Sequence, residues 1–188
     1  FKALITTTAR ALYVPGFYSG VLFDAARLLV RAKRMQLIMD GNLTADLTLE
    51  SPGLRRMLAY LDVFLPNALE ARHLTGQDDL EQAARQLAAL GPLVVVKNGA
   101  MGAFACQADQ LWYSPALPVT TVDTTGAGDC FSAGFVKARL MGRSVAECLR
   151  WANIVGGLST LGLGGTGQCV TAEEVARCID DQENEGLA

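Results

Sequence analysis

Two hydrophobic rhythms alternate along the chain: short continuous apolar runs, and longer stretches in which apolar residues fall three and four places apart. Residues 11–17 are apolar and meet Gly16. From Ser19 onward the spacing of Leu22, Ala26, Leu29 and Val30 is helical, which predicts a strand and then a helix. Residues 36–39 predict a second strand ending at Asp40-Gly41-Asn42, and Pro52 opens a helical segment over 52–60. A brief buried strand at 63–65 leads to a helix that begins at Asn67 and stops at Gly76; a strongly periodic helix over 80–90 is closed by Gly91-Pro92. Residues 93–97 are the most β-like run, broken by Asn98-Gly99 and Gly102, after which 103–105 and 111–113 predict a hairpin. Residues 119–122 predict a further strand, 124–128 a turn and 127–141 a long helix. Ser144 and Thr171 are placed to cap helices over 145–160 and 172–179, with a glycine-rich turn at 162–167 between them.

Strands alternating with helices predict a layered α/β domain with a mostly parallel central sheet, helices on both faces and ligands at the carboxyl ends of the strands. A length of 188 residues suits a single domain spanning 1–188. Hydrophobic residues make up 51% of the chain and charged residues 19%, enough apolar surface to offset the entropy of ordering. A formal charge of -3 supplies no basic field, so neither nucleic acid nor an anionic membrane is an expected partner. No apolar run approaches the roughly 20 residues that cross a bilayer. A small-molecule partner is expected instead, and the five cysteines, scattered, odd in number and without a C-x-x-C pair, predict reduced thiols and a cytoplasmic protein. Phe1, not Met, opens the chain, so further sequence upstream is expected.

The most informative segment is Val119-Thr120-Thr121-Val122-Asp123-Thr124-Thr125-Gly126-Ala127-Gly128-Asp129. Small residues at a helix start let backbone N–H groups converge on an anion, assisted by the helix dipole. Asp129, in the first helical turn, can face the same point and accept the proton of an attacking hydroxyl. A bare G-x-G-D is equally a tight turn followed by a favourable first-turn acid. The preceding β-run and the second carboxylate at Asp123 favour a site.

The run D-T-T-G-A-G-D-C-F-S-A-G-F, from Asp123 to Phe135, closely resembles the second signature of the ribokinase-like, PfkB-type carbohydrate kinase family. The resemblance implies a three-layer α/β/α fold, Asp129 as catalytic base, and Gly126, Ala127 and Gly128 as the anion hole. It also implies a site for a monovalent cation such as K⁺ at Asp123 and Thr125. Asn67-Ala68-Leu69-Glu70 is similar to the family's N-x-x-E motif, associated with a hydrated Mg²⁺ and the phosphates. Val94-Val95-Val96-Lys97-Asn98-Gly99-Ala100-Met101-Gly102 is similar to the strand-turn that contacts ATP, which places Lys97 and Gly99 near the phosphates or ribose. Asn153 lies where relatives hold an asparagine near the adenine ring. Taken alone, Asn67 and Glu70 read as an N-cap with its capping-box partner, Lys97 as a solvated lysine at a strand end, and Asn153 as an exposed helix residue. Asp40-Gly41-Asn42 resembles the family's D-P-N element near the substrate, without the arginine that often follows in keto-deoxy-sugar kinases, since Thr44 and Ala45 stand there.

Other features are set aside. Gly162, Gly164 and Gly167 fit G-x-G-x-x-G but follow a helix pattern, which argues against a dinucleotide fingerprint. No P-loop and no protein-kinase motif set occurs. His73 reads as solvated, and Trp112 and Trp151 as packing residues. The expected activity is transfer of the γ-phosphoryl group of ATP to a hydroxyl of a sugar or sugar-like substrate, with nucleosides as the alternative acceptors. The family's amino-terminal strands, β lid and first glycine-rich signature lie outside the resemblance. The rival expectation is a non-catalytic nucleotide-binding or interaction module; relatives commonly dimerise through the lid, so a homodimer is the implied assembly.

Overall fold

The computed structural model describes residues 6–17, 21–44, 46–165 and 167–185. Ser19, expected to open the first helix, and Ala45 lie outside the described residues. These residues pack as two compact units: one takes in the chain up to Lys97 together with Phe104–Trp112, the other Asn98–Ala103 and the chain from Tyr113 onward.

The first unit rests on a sheet whose strands follow chain order: β1 (Ala11–Val14), β2 (Gln36–Asp40), β3 (Val63–Leu65), β4 (Leu93–Lys97), β5 (Ala103–Gln107) and β6 (Gln110–Ser114). β1 to β4 pair in parallel, in registers that set Val14 against Met39, Asp40 against Leu65 and Phe64 against Val94. Parallel strands need cover on both faces, which explains their near-continuous apolar sequences; Val63, Phe64, Leu65, Leu93 and Val94 are fully buried. The cover and the crossovers come from α1 (Val21–Ala32), α2 (Leu54–Leu58), α3 (Ala68–Thr75) and α4 (Leu80–Ala88), which send Val30, Leu58, Leu74 and Leu87 into the same core. Each such side chain contributes about 1.5–3 kcal/mol on burial. β5 and β6 are joined by only Ala108 and Asp109, a connection too short for a parallel pair, and Ala108 takes the left-handed conformation that a tight hairpin needs, at φ 49°. The sheet is therefore mixed, as the hairpin pattern in the sequence predicts.

Parallel strands share a direction, so β2, β3 and β4 end on one edge of the sheet. Asp40 closes β2, Lys97 closes β4, and Asn67, just beyond β3, forms one further parallel bridge to Lys97.

The second unit contains α5 (Ala127–Leu140), α6 (Val145–Ser159) and α7 (Ala172–Glu185). α5 and α6 approach closely because glycines lie in their contact: a Cβ at Gly134 would stand 2.9 Å from Val155 Cβ, and one at Gly156 3.2 Å from Phe131 Cβ. Phe135, Ala138, Leu149 and Ile154 are buried in this unit. The strand expected at 119–122 is not formed. Among the described residues 115–124 none is in a strand, and Val122 is 57% exposed. The amides of Val122 and Asp123 donate instead to the Thr160 carbonyl, at 2.8 and 3.1 Å, satisfying an orphan acceptor at the end of α6. α7 also runs on to Glu185, past the expected end at 179.

Candidate active site

α5 opens from Gly126, which sits in the left-handed region at φ 76° with no side-chain cap. A Cβ there would lie 3.0 Å from Gly165 Cα. The Ala127 amide donates to the Thr124 carbonyl at 3.1 Å, and the Cys130 amide donates to Gly126 at 2.9 Å, closing the first helical turn. The amides of Gly126, Gly128 and Asp129 have no acceptor among the described residues. Of the anion-hole residues expected from sequence, then, Ala127 has its amide engaged in the turn, while the Asp129 amide joins the open set.

Four other helices, α3, α4, α6 and α7, are closed at this point by side chains, whereas the five-residue α2 also opens from an uncapped glycine, Gly53. Asn67 with Glu70 at α3, and Ser144 with Glu147 at α6, form capping boxes. Thr171 and Glu174 bond reciprocally at α7, and Asp79 accepts the Glu81 and Gln82 amides at α4. Gly126 has no side chain with which to do the same. Asp129 occupies the place of those glutamates, is one methylene shorter, and does not reach back. Its carboxylate is exposed and has no partner among the described residues. A helix of 14 residues thus presents its positive end, free N–H donors and an available carboxylate in one turn.

Asp123 is used as a staple. Oδ1 accepts the Thr125 amide at 2.9 Å and the Thr125 hydroxyl at 2.8 Å, and Oδ2 accepts the Gly164 amide at 2.8 Å. These donors, the Thr125 amide foremost, then the Gly164 amide, hold the carboxyl below the usual carboxylate range. Three of the four lone-pair sites of this carboxylate are thus occupied, which leaves one, with the Thr125 hydroxyl oxygen, for the cation expected at Asp123 and Thr125. The staple fixes the glycine-rich turn beside the head of α5.

In the first unit the predicted binding residues are engaged internally. Asn67 Oδ1 accepts the Glu70 amide at 2.9 Å, and Glu70 Oε2 accepts the Asn67 amide at 2.7 Å. Glu70 Oε1 accepts the Leu43 amide at 3.3 Å, and the carboxylate lies so close to Gly41 that a Cβ there would be 1.8 Å from Oε2. Two lone-pair sites of this half-buried carboxylate are left for a water or a hydrated cation. Lys97 Nζ donates to Asp40 Oδ1 at 2.5 Å, with the two side chains only 13% and 7% exposed. Asp40 also accepts the Tyr13 hydroxyl at 2.6 Å and the Gly41 amide at 2.7 Å. Lys97 is therefore not the solvated strand-end lysine of the plain sequence reading.

The remaining expected site residues lie in the second unit. Gly99 takes φ 55° at the start of a short 3-10 turn, with nothing among the described residues within 4 Å of where a Cβ would stand. Asn153, 6% exposed, donates from Nδ2 to the Ser114 carbonyl at 2.9 Å, which corrects its reading as an exposed helix residue. It lines a cavity of about 250 Å³ with Ser114, Pro115, Leu117, Arg150, Ile154 and Gln182.

The pfkB family carbohydrate kinase model matches residues 3–172. The chain belongs to the pfkB family of carbohydrate kinases. It is 34% identical over 133 residues to a cytidine kinase from Thermococcus kodakarensis, a span of 68% of this chain and 48% of that protein. The ribokinase of Arabidopsis thaliana, solved with ribose and ATP, superposes with a TM-score of 0.71 at 28% identity, over 81% of this chain and 50% of that one. An E. coli protein named ribokinase II, solved with ATP and Mg²⁺, gives a TM-score of 0.74 at 27% identity, over 85% of this chain and 53% of that one. The fold is ribokinase-like, a three-layer α/β/α class with a mostly parallel sheet. This chain spans about half the length of these relatives.

Within this pfkB family member, the sequence reading missed two things. The glycine-rich turn at 162–167 is expected from sequence but without a role at the site, yet Gly164 bonds Asp123 and Gly165 packs on Gly126; the density of glycines after a helix end was the available signal. The Asp40–Lys97 pair was also missed, although opposite charges closing two buried strands pointed to it. His73 is exposed and its ring bonds the Leu47 carbonyl at 3.0 Å, a structural contact. Burial pushes the Cys148 thiol up to about 11, which leaves it inert. Among the described residues no helix is long and apolar enough to cross a membrane, and no group of three or more His, Cys, Asp or Glu side chains could hold a metal ion.

Proposed function

We propose that the protein containing this chain transfers the γ-phosphoryl group of ATP to a hydroxyl of a sugar or sugar-like acceptor, nucleosides included. One observation carries the reading: the N-terminus of α5 is open, with amides unspent and Asp129 exposed beside them, where α3, α4, α6 and α7 are closed by side chains. In this role the Gly126, Gly128 and Asp129 amides stabilise charge on the transferring phosphoryl oxygens, and the Asp129 carboxylate accepts the acceptor's proton.

Mg²⁺ keeps most of its water and binds through one or two carboxylates and the substrate phosphates. Glu70, with its two unspent lone-pair sites, would hold one of those waters, and bound Mg²⁺ would neutralise phosphate charge. Asn67 keeps Glu70 in place, and Gly99 offers uncluttered backbone to the nucleotide. Lys97 acts by fixing the end of β2 through Asp40, and the cavity lined by Asn153 receives the nucleotide base. The unpaired cysteines support a reducing compartment such as the cytoplasm.

The test is a panel of acceptors, namely pentoses, hexose phosphates and nucleosides, incubated with ATP and Mg²⁺ and read by ADP release. Release that depends on one acceptor class supports the reading and names the substrate. Nucleotide binding with no release from any acceptor would instead establish the non-catalytic nucleotide-binding module.

A further inference from the structure

α7 has little apolar surface with which to hold its place. Val175 is its one fully buried residue among those described, with Cys178 and Ile179 half-buried. Its N-terminal turn is secured by the Thr171–Glu174 box. Its last turns are secured by a single side chain from α6. Arg150 Nε donates to Gln182 Oε1 at 2.9 Å, Nη1 to Glu183 Oε1 at 2.7 Å, and Nη2 to the Ile179 carbonyl at 2.8 Å. All three guanidinium nitrogens are thus committed to α7, in a rigid fork that lysine cannot reproduce.

The same residues border the Asn153 cavity. Arg150 and Asn153 lie three places apart on α6, on one face of the helix, and Gln182 brings α7 to the cavity. Asn153 is held by the Ser114 carbonyl through Nδ2, and its Oδ1 has no donor among the described residues. A mostly apolar cavity with one oriented amide suits a planar heterocycle that carries an N–H donor. Because the wall formed by Gln182 belongs to a helix anchored chiefly by Val175, the shape of the cavity depends on Arg150.

We infer that Arg150 is a positioning residue for nucleotide recognition: by fastening the end of α7 it holds the wall that closes on the nucleotide base. The inference rests on the phosphotransferase reading, which assigns the base to this cavity. Its chemistry separates the base from the phosphates, since among the described residues none of the hydrogen bonds of Arg150 reaches the head of α5.

The experiment uses the full chain and its Arg150→Ala, Arg150→Lys and Gln182→Ala variants, with ADP and inorganic tripolyphosphate as probes in calorimetry. Arg150→Ala is expected to weaken ADP roughly tenfold, as loss of charge-assisted hydrogen bonds to a movable wall would, and to leave tripolyphosphate within about twofold. Arg150→Lys should recover part of the loss, and in turnover KM for ATP should rise while kcat holds. Hydrogen exchange should quicken over 179–184 and stay slow at Val175. If Arg150→Ala fails to fold, Gln182→Ala, which removes the wall and keeps the Glu183 and Ile179 bonds, must still weaken ADP selectively. Unchanged ADP affinity in the variants, or equal loss of both probes, overturns the latch and leaves the phosphotransferase reading standing. An unaltered chain that binds neither probe overturns both.

Discussion

The N-termini of α3 and α5 are built from similar parts and put them to different uses. At α3, Asn67 and Glu70 satisfy each other, and Glu70 reaches on to the Leu43 amide across a backbone left bare by Gly41. At α5 the cap is Gly126, the acid is Asp129, and neither closes the turn. Two changes of residue type, Asn to Gly at the cap and Glu to Asp three places later, separate a structural turn from one with donors and a carboxylate to spare. At α3 both N-terminal partners are tied into the cap, with two carboxylate lone pairs over, whereas at α5 the amides and the whole carboxylate are left open; the two helices fall in the two units of the chain.

Breaking the closed side should have the largest effect. Lys97→Met breaks the buried ion pair with Asp40, and stability should fall by about 3–5 kcal/mol, read from the shift of the urea midpoint at constant slope. A loss below about 1 kcal/mol would mean that the pair behaves like a surface ion pair. Next comes Asp129→Glu, which lengthens the acid to match those at α3, α6 and α7. Turnover should drop about tenfold or more from misplacement of the base, while thermal stability holds or rises slightly as half a capping box forms. Turnover equal to the original would show that reach at this position is immaterial. Asn67→Ala removes the α3 cap and should cost about 0.5–2 kcal/mol, measured by chemical denaturation.

The smallest effect concerns acid. Asp123 has its pKa lowered in the folded state by the Thr125 and Gly164 donors, so its contribution is present above the ordinary aspartate value and is lost as pH falls through the folded one. The amides of Thr125 and Gly164 should therefore exchange faster only below about pH 4, and Asp123→Asn should remove that transition. Persistence of the transition in the variant would assign it to another group.

Much of this was legible in the sequence for physical reasons. The valines of β4, the caps at Asn67, Ser144 and Thr171, and the small-residue turn before α5 each encode local structure through propensity or through a side chain that reaches its own backbone. The strand expected at 119–122 failed because its propensity was local while its hydrogen-bond partner, the Thr160 carbonyl, was not. Lys97 with Asp40, Asp123 with Gly164, and Arg150 with Gln182 join residues far apart in sequence. No window along the chain contains both members of such a pair. For the same reason the Glu70 motif could be spotted but its engagement with Leu43 could not.

Under the proposed function Asp129 takes a proton while the neighbouring amides hold phosphate. Asp129→Asn, in the whole protein, separates the two roles when ATP affinity and turnover are measured on the same preparation. ATP should bind within about twofold of the original while turnover falls about a hundredfold or more, as loss of a general base requires. Turnover that survives the substitution intact would contradict the account.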